Sequence, residues 1–171
     1  MNSVQPQSSA FRPRHLSPSS ASTFRQCPRR WRLRYIDKLP DPKGEPAVLG
    51  TFVHEILEEL LSLEAKDRSI DTAKGIARRL WDRILDDEDF VGLCLSESEV
   101  KSFMWKAWRL IERYFALEDP AEVDVVRAEQ ELSVEIGGVP FFGIVDLTER
   151  VSSGLRVVDY KTGKAPRSRY L

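Results

Sequence analysis

The hydrophobic pattern of this 171-residue chain changes once, near Val123, and that change limits the folds open to it. Before Val123, apolar residues recur every three to four positions, which is the spacing of a helix with one buried face. After Val123, apolar and polar residues alternate, as they do along a strand with one buried face. Helices followed by a meander of strands indicate an α+β fold with a largely antiparallel sheet.

Capping and turn residues predict where the individual elements begin and end. The predicted helices are a region that starts near Leu16 and is divided at Pro28, a helix with Thr51 as its N-cap, and helices over Thr72–Leu85 and Ser96–Leu117. The predicted strands are Val125–Ile136, interrupted near Glu129, then Pro140–Arg150 and Leu155–Lys161, with a turn at Gly137-Gly138. Residues 1–15 are rich in Ser, Gln and Pro and are expected to be disordered, which leaves residues 16–171 as a single domain.

Composition narrows the class of protein. With 42% hydrophobic and 31% charged residues, the chain has the make-up of a soluble globular protein. A net charge of −1 argues against a chain that simply coats nucleic acid. The two cysteines, Cys27 and Cys94, lie far apart, which excludes a disulfide framework or a self-contained zinc site and fits a reducing compartment. Since no apolar run suits a membrane span or a secretory signal, we expect a cytoplasmic protein without a membrane partner.

The last two strands carry acidic residues where a structural hairpin would avoid them. A turn symmetric about Ser152-Ser153 places Asp146 opposite Asp159, with Cβ atoms about 4.5–5.5 Å apart. Like charges in that position are destabilising, and a divalent cation such as Mg²⁺ would relieve the repulsion. Lys161 shares a strand face with Asp159, so it would lie close to that cation.

Two other interpretations of this hairpin remain open. A bulge would shift the register and separate the two carboxylates. Alternatively, the Asp159 and Lys161 pair is the solvated face of an edge strand, which is the usual meaning of an isolated D-x-K pattern.

His54 is a second candidate ligand. It falls in the first turn of the helix predicted to start at Thr51. There the helix dipole disfavours the imidazolium, and a neutral imidazole is the form that binds metals. The alternative is a histidine on the helix surface or one satisfied within the core.

Four stretches together resemble the RecB-type branch of the PD-(D/E)XK nuclease superfamily over Leu16 to Pro166. They are SPSSASTFRQCPRRWRLRYI, LGTFVHEILEEL, FFGIVDLTER and VVDYKTGK, in that order. The resemblance implies a restriction-endonuclease-like core and cleavage of DNA phosphodiester bonds with Mg²⁺ or Mn²⁺. It also implies exonuclease-like activity in DNA repair, recombination or CRISPR adaptation, with a helicase or a CRISPR or repair protein as partner.

The resemblance also assigns roles to individual residues. His54, Asp146 and Asp159 match the metal ligands, the peptide carbonyl of Tyr160 matches a frequent additional ligand, and Lys161 matches the catalytic lysine.

The chain departs from the family pattern in three respects. Leu147 stands where relatives often have arginine. Cys27 matches one ligand of the iron–sulfur cluster of some relatives, but three later cysteines are lacking and Cys94 lies between the motifs, so we expect no cluster. The sequence stops at Leu171, before the further helix and strands of the family core. We therefore expect a core truncated at its C-terminal side, or completed by a partner, with uncertain activity on its own.

The arginines near the N-terminus are candidate DNA contacts. Arg25, Arg29 and Arg30 are expected to face DNA phosphates, while Phe24, Trp31 and Tyr35 are expected to lie inside. The alternative is that these arginines form only a solvated face. Other polar and aromatic residues are expected to be structural: Glu129 and Glu131 as surface charges, one of which could face the metal, and Trp105 and Trp108 as core residues.

The leading hypothesis is thus a metal-dependent DNA nuclease. A non-catalytic DNA-binding or scaffold module that retains the nuclease fold is the alternative. A third possibility is an interaction subunit in which the acidic hairpin is purely structural.

Overall fold

The structure, a computed structural model, describes residues 16–163 and divides them into two compact units. One unit comprises residues 16–39 and Glu131–Gly143, and the other comprises Pro40–Gln130 and residues 144–163. The segment predicted to be disordered, residues 1–15, lies outside the described residues. No helix within residues 16–163 combines the length and the apolar character needed to cross a membrane.

The first unit begins with short helices whose starts follow from capping. Helix α1 spans Pro18–Gln26 and helix α2 spans Pro28–Trp31, followed by a π-helical turn, Arg32–Ile36. The Ser17 hydroxyl accepts the Ser20 N–H at 3.1 Å, and a proline occupies the first turn of both α-helices. The predicted division at Pro28 is confirmed.

The expectation that Phe24, Trp31 and Tyr35 would all lie inside is wrong for Phe24, which is 50% exposed. Its ring packs edge-on against Trp31, with 5.4 Å between centroids, and leaves its other face open. Trp31 and Tyr35 are half-buried, and the Trp31 indole N–H donates to the Ser20 hydroxyl at 2.8 Å. The first unit therefore has aromatic contacts but few fully buried side chains.

The helices of the second unit are α3 (Glu45–Leu61), α4 (Ile70–Ile84), α5 (Glu88–Val91) and α6 (Glu97–Leu117), with a 3₁₀ turn at Ala65–Asp67. The predicted starts of α4 and α6 are close to the observed ones. Ser69 and Ser96 are the N-caps of these two helices. The start of α3 at Thr51 is wrong. Gly44 is the N-cap, and Pro46 lies in the first turn, where proline is favoured rather than disruptive.

Helices α3, α4, α5 and α6 enclose the main apolar cluster, which we call the helical core. Its buried members are Val48, Phe52, Val53, Ile56, Leu57, Leu60, Ala73, Ile76, Leu80, Phe90, Phe103, Ala107, Ile111 and Tyr114. A second, smaller group, the sheet cluster, consists of Leu61, Val123 and Leu147. Tyr160 packs against both groups.

The strands are β1 (Val125–Ile136), β2 (Val139–Val151) and β3 (Gly154–Val158), in the sheet order β1-β2-β3. Strands β2 and β3 are antiparallel, and their register runs from Leu147↔Val158 to Val151↔Gly154. That is the register predicted from a symmetric turn. Helices followed by this sheet confirm the α+β fold class. Strand β3, however, ends at Val158, before the predicted end at Lys161.

Candidate metal centre

His54 lies in the middle of α3 rather than in its first turn, because the helix begins at Glu45. The dipole argument for a neutral imidazole therefore fails, since the dipole acts mainly within the terminal turn. The His54 Nε2 lies 2.9 Å from the carbonyl oxygen of Tyr160, within hydrogen-bond distance. The imidazole is about three-quarters buried, with 26% of its side chain exposed.

The backbone of Tyr160 contacts two of the predicted site residues at once. Its carbonyl meets His54, and its N–H donates to the Asp146 Oδ2 at 2.6 Å. Its ring packs edge-on against Tyr114, with 5.4 Å between centroids. The ring thus anchors the segment after β3 in the apolar interior, and the peptide groups of the same residue hold α3 and β2 side chains in place.

Asp146 and Glu129 face the other nitrogen of the imidazole. The Asp146 Oδ1 lies 3.5 Å from the His54 Nδ1, and the Glu129 Oε1 lies 3.8 Å from it. One ligand atom from each of the three side chains lies within 4.8 Å of the others. Two carboxylates and an imidazole so arranged have the chemistry of a divalent-cation site.

The contribution of Glu129 was only partly visible in the sequence, where it was interpreted as a surface charge that could face a metal. The signal was the break in alternation along β1. At that position Glu129 has φ of 46°, and it is the only non-glycine residue with positive φ within the described strands. Such a conformation is uncommon for a residue with a side chain, and it interrupts the regular two-residue alternation.

The electrostatics of this cluster favour a positive charge. The pKa of Glu129 is raised above its ordinary value, first by burial and then by the neighbouring carboxylates of Asp146 and Glu58. His54 opposes that rise. An added proton or a cation would relieve the repulsion.

Asp159 and Lys161 were expected to share a strand face, but both lie beyond the end of β3 at Val158, where they pair with each other. The Lys161 Nζ lies 2.5 Å from the Asp159 Oδ2, and the two side chains are 79% and 56% exposed. Asp159 is not a member of the three-residue ligand group found among residues 16–163. The β2–β3 ladder ends at Leu147↔Val158, one pair before Asp146 would meet Asp159, and Asp146 instead accepts the N–H of Tyr160.

Gly50 permits a close approach between α3 and the segment that carries Lys161. A Cβ atom at Gly50 would lie 3.1 Å from the Thr162 hydroxyl, which is tighter than an ordinary contact. The glycine in the LGTFVH stretch therefore has a steric role beside His54.

The arginines predicted to contact DNA lie in the first unit. Arg25, Arg29 and Arg30 are all exposed, as a phosphate-binding surface requires. Cys27 caps α2, where its sulfur accepts the Arg30 N–H at 3.5 Å, and it is exposed.

The sequence profile of the PD-(D/E)XK nuclease superfamily matches residues 15–170, a range that includes His54, Glu129, Asp146, Asp159 and Lys161. No curated protein and no solved structure matches the chain.

Proposed function

Because this chain belongs to the PD-(D/E)XK nuclease superfamily, we propose that it is a metal-dependent deoxyribonuclease of the RecB-type branch. The observation that carries the proposal is the meeting of His54, from a helix, with Asp146, from a strand, beside the peptide groups of Tyr160. The assignment to the RecB-type branch is supported by the order of the four sequence stretches that resemble it, including LGTFVHEILEEL and VVDYKTGK.

The donor set fits Mg²⁺ or Mn²⁺, since carboxylate oxygens are preferred by both and Mn²⁺ also accepts imidazole. The residues proposed to hold the ion are His54, Asp146 and Asp159, with the Tyr160 carbonyl as the additional group implied by the resemblance. An ion bound there lowers the pKa of a bound water and neutralises charge that develops on the phosphate.

Lys161 is proposed to act as a positive point charge next to the scissile phosphate. Its ammonium group is exposed and is held by Asp159, one residue from the peptide that contacts both His54 and Asp146. A lysine so placed can orient an attacking water and stabilise negative charge on a phosphate oxygen.

DNA is the proposed substrate, and Arg25, Arg29 and Arg30 are proposed to contact its backbone. All three are exposed, and arginine matches phosphate oxygens through its planar donors. The resemblance further suggests exonuclease-like digestion and a helicase, repair or CRISPR protein as partner.

The decisive experiment incubates linear single- and double-stranded DNA with the protein and either Mg²⁺ or Mn²⁺. We expect cleavage that falls about a hundredfold or more in Asp146→Asn and Lys161→Ala. Lys101→Ala, which removes an exposed lysine of α6, is the matched control and should cleave normally. Equal cleavage by all four proteins would assign the activity to a contaminant and overturn the proposal.

Two outcomes would favour the alternatives. Binding of DNA without cleavage with either ion would indicate a non-catalytic DNA-binding or scaffold module. Calorimetry that detects no Mn²⁺ binding, with Asp146→Asn unchanged, would indicate an interaction subunit whose acidic hairpin is structural.

A further inference from the structure

We propose that the groove between α4 and α6 is a self-association surface, in which α4 of one copy of the chain packs antiparallel against α4 of a second copy. The two-fold axis lies at the level of Leu80, and each α4 covers the groove of the other copy. The groove shares no lining residue with the candidate metal centre, so the inference does not depend on the proposed nuclease activity.

The groove follows from the way in which the helices pack. Helices α4 and α6 both pack mainly on α3 and contact each other little, which leaves a gap between them. The gap has a volume of about 590 Å³. Buried Phe52 and Ile56 of α3 line it, together with Ala77 and Trp81 of α4 and Trp108 of α6. Removing such an apolar lining from water is favourable.

Two large apolar side chains of α6 line the same groove with much of their surface in water. Trp105 is 63% exposed and Met104 is 43% exposed. The Arg109 guanidinium lies over the Trp105 ring, 5.7 Å from its centroid. Tryptophan, methionine and arginine are enriched in protein–protein interfaces, where tryptophan and arginine often dominate the binding energy. This edge of the groove therefore has the composition of a protein-binding surface.

The outer face of α4 is complementary in charge to itself. Arg79 and Arg83 each pair with a glutamate of α3, whereas Arg78 and Asp82 have no ion-pair partner within residues 16–163. Arg78 and Asp82 lie at equal distances along the chain from Leu80. In a two-fold interface, contacts between two different residues occur twice, once in each direction. Antiparallel pairing about Leu80 therefore joins each Arg78 to the Asp82 of the other copy.

The same symmetry pairs a small residue with a large one. Gly75 and Leu85 are also equidistant from Leu80, so the pairing places Leu85 of one copy opposite Gly75 of the other. Leu85 is 42% exposed, and no atom lies within 4 Å of the position of a Cβ atom at Gly75. Glycine inside a helix costs stability relative to alanine, but it lets another chain approach closely. The open space at Gly75 can thus receive the side chain of Leu85.

The charges at the groove favour a protein over DNA as its occupant. Lys74 and Arg109 already pair with carboxylates on their own helices, those of Asp71 and Glu112. Asp82 adds a negative charge without a partner among residues 16–163, which would repel DNA phosphates. Phosphate binding requires an excess of available cations, and this groove does not provide one.

Sedimentation velocity of the full chain measures the self-association. We expect a dimer at about 100 μM protein that dissociates on dilution to about 1 μM, as small interfaces do. Trp105→Ala should weaken dimerisation about tenfold or more. Leu117→Ala, which shortens an 84% exposed side chain on the same helix, is the control and should change it by less than about twofold.

Two outcomes of this measurement would overturn the proposal. One is a chain that remains monomeric at the higher concentration. The other is a monomer whose tryptophan fluorescence is quenched by oligothymidine, with the quenching lost in Trp105→Phe, which would assign the groove to single-stranded DNA.

Charge reversal tests the antiparallel register. Arg78→Glu and Asp82→Arg should each weaken dimerisation about tenfold or more, because both symmetric pairs become repulsive. The double variant should associate as the wild type does, and an equimolar mixture of the two single variants should form a heterodimer. Arg127→Glu, the same change at an exposed position of β1, should have no effect. Circular dichroism would verify that each variant is folded. Single variants that dimerise normally, or a double variant that does not recover, would overturn the proposal.

Discussion

The helical core and the sheet cluster of the second unit differ in the kind of side chain that they bury. The helical core is built mainly from apolar side chains, and the rings of Phe52 and Phe90 each pack against that of Phe103. The sheet cluster has three buried apolar members, and the same strand that supplies Leu147 also buries Thr148 and Glu149. The helical core is therefore largely apolar, whereas the sheet cluster lies beside buried polar groups that need partners.

The polar residues buried beside the sheet cluster have hydrogen-bond or ion-pair partners. The Glu149 Oε1 lies 2.5 Å from the Arg156 Nε, and the Thr148 hydroxyl donates to the Gln130 side chain at 3.3 Å. The pKa of nearby Glu118 is raised, first by burial and then by Glu149. Glu149 is 4% exposed whereas Arg156 is 55% exposed, so desolvation of the carboxylate offsets part of the attraction within this pair.

The comparison teaches that the helical core supplies most of the apolar burial, whereas the strands supply two of the three side chains of the candidate metal centre. The helical core stabilises the unit through burial, and it holds α3 in place. The sheet side supplies Asp146 and Glu129, whose mutual repulsion is unfavourable until a cation is bound. Tyr160 packs against both regions, so its peptide groups can be held rigidly at the boundary.

The largest expected effect on stability is that of Phe103→Ala. Phe103 is fully buried, and its removal should lower the free energy of unfolding by about 3–5 kcal/mol through lost burial and a residual cavity. Chemical denaturation measures the change. Trp105, on the same helix, was expected in the core but is 63% exposed, so Trp105→Ala is the control and should cost less than about 1 kcal/mol. Similar losses in both variants would contradict the assignment of stability to the helical core.

Without metal, Glu129→Gln is expected to change the free energy of unfolding by less than Phe103→Ala does, and to raise it rather than lower it. The pKa of Glu129 is higher in the folded state than its ordinary value of 4.5, so the folded state binds this proton more tightly. The contribution of Glu129 to stability is then fully present below pH 4.5 and is lost as the pH rises through the folded value. At neutral pH with a chelator, Glu129→Gln should therefore unfold at a higher temperature than the wild type. The gain should be less than about 1 kcal/mol, since the group is partly exposed.

The control for that measurement is pH itself. Below pH 4.5 the advantage of Glu129→Gln should disappear, because the wild-type carboxyl is then protonated too. An advantage that persists unchanged in acid would have another cause, and the argument that the site is strained by its own charge would fail.

Local signals in the sequence were sufficient for much of this fold. Ser96 marked the start of α6, the predicted start of α4 at Thr72 lies close to the observed start at Ile70, and the turn after β2 predicted the register of the hairpin. The start of α3 was missed because Gly44 and Pro46 also suit a loop. Whether a proline begins a helix or prevents one depends on whether the residues after it can continue the helix and bury one face.

The site was predictable only in part, for a similar reason. His54 and Asp146 were identified and are brought together, but their contacts with Tyr160 depend on β3 ending at Val158. Where a strand stops is a tertiary property, since the peptide groups beyond it find partners elsewhere. Glu129 was interpreted mainly as a surface charge. Alternation assigns a side chain to one face only when the strand is regular, and the strand is irregular at this residue.

The smallest expected change in the free energy of unfolding is that of Tyr114→Phe. Tyr114 belongs to the helical core and contacts Tyr160, which also packs against the sheet cluster. Tyr114 is 7% exposed, and its hydroxyl makes no well-formed hydrogen bond among residues 16–163, although the side chains of Tyr160 and Glu118 lie near it. Burial raises its pKa, and the adjacent Tyr160 raises it further. Removing an unsatisfied buried hydroxyl relieves its desolvation cost, so Tyr114→Phe should change the free energy of unfolding by less than about 1 kcal/mol, toward greater stability. Mn²⁺ affinity should not change, because Tyr160 acts on His54 and Asp146 through its peptide groups and its ring still packs on that of residue 114. A loss above about 1 kcal/mol, measured beside Tyr35→Phe as a half-buried control, would show that this hydroxyl has a partner. The contact between Tyr114 and Tyr160 would then be polar rather than apolar, and the division between the apolar helical core and the polar residues of the strands would have to be redrawn at Tyr114.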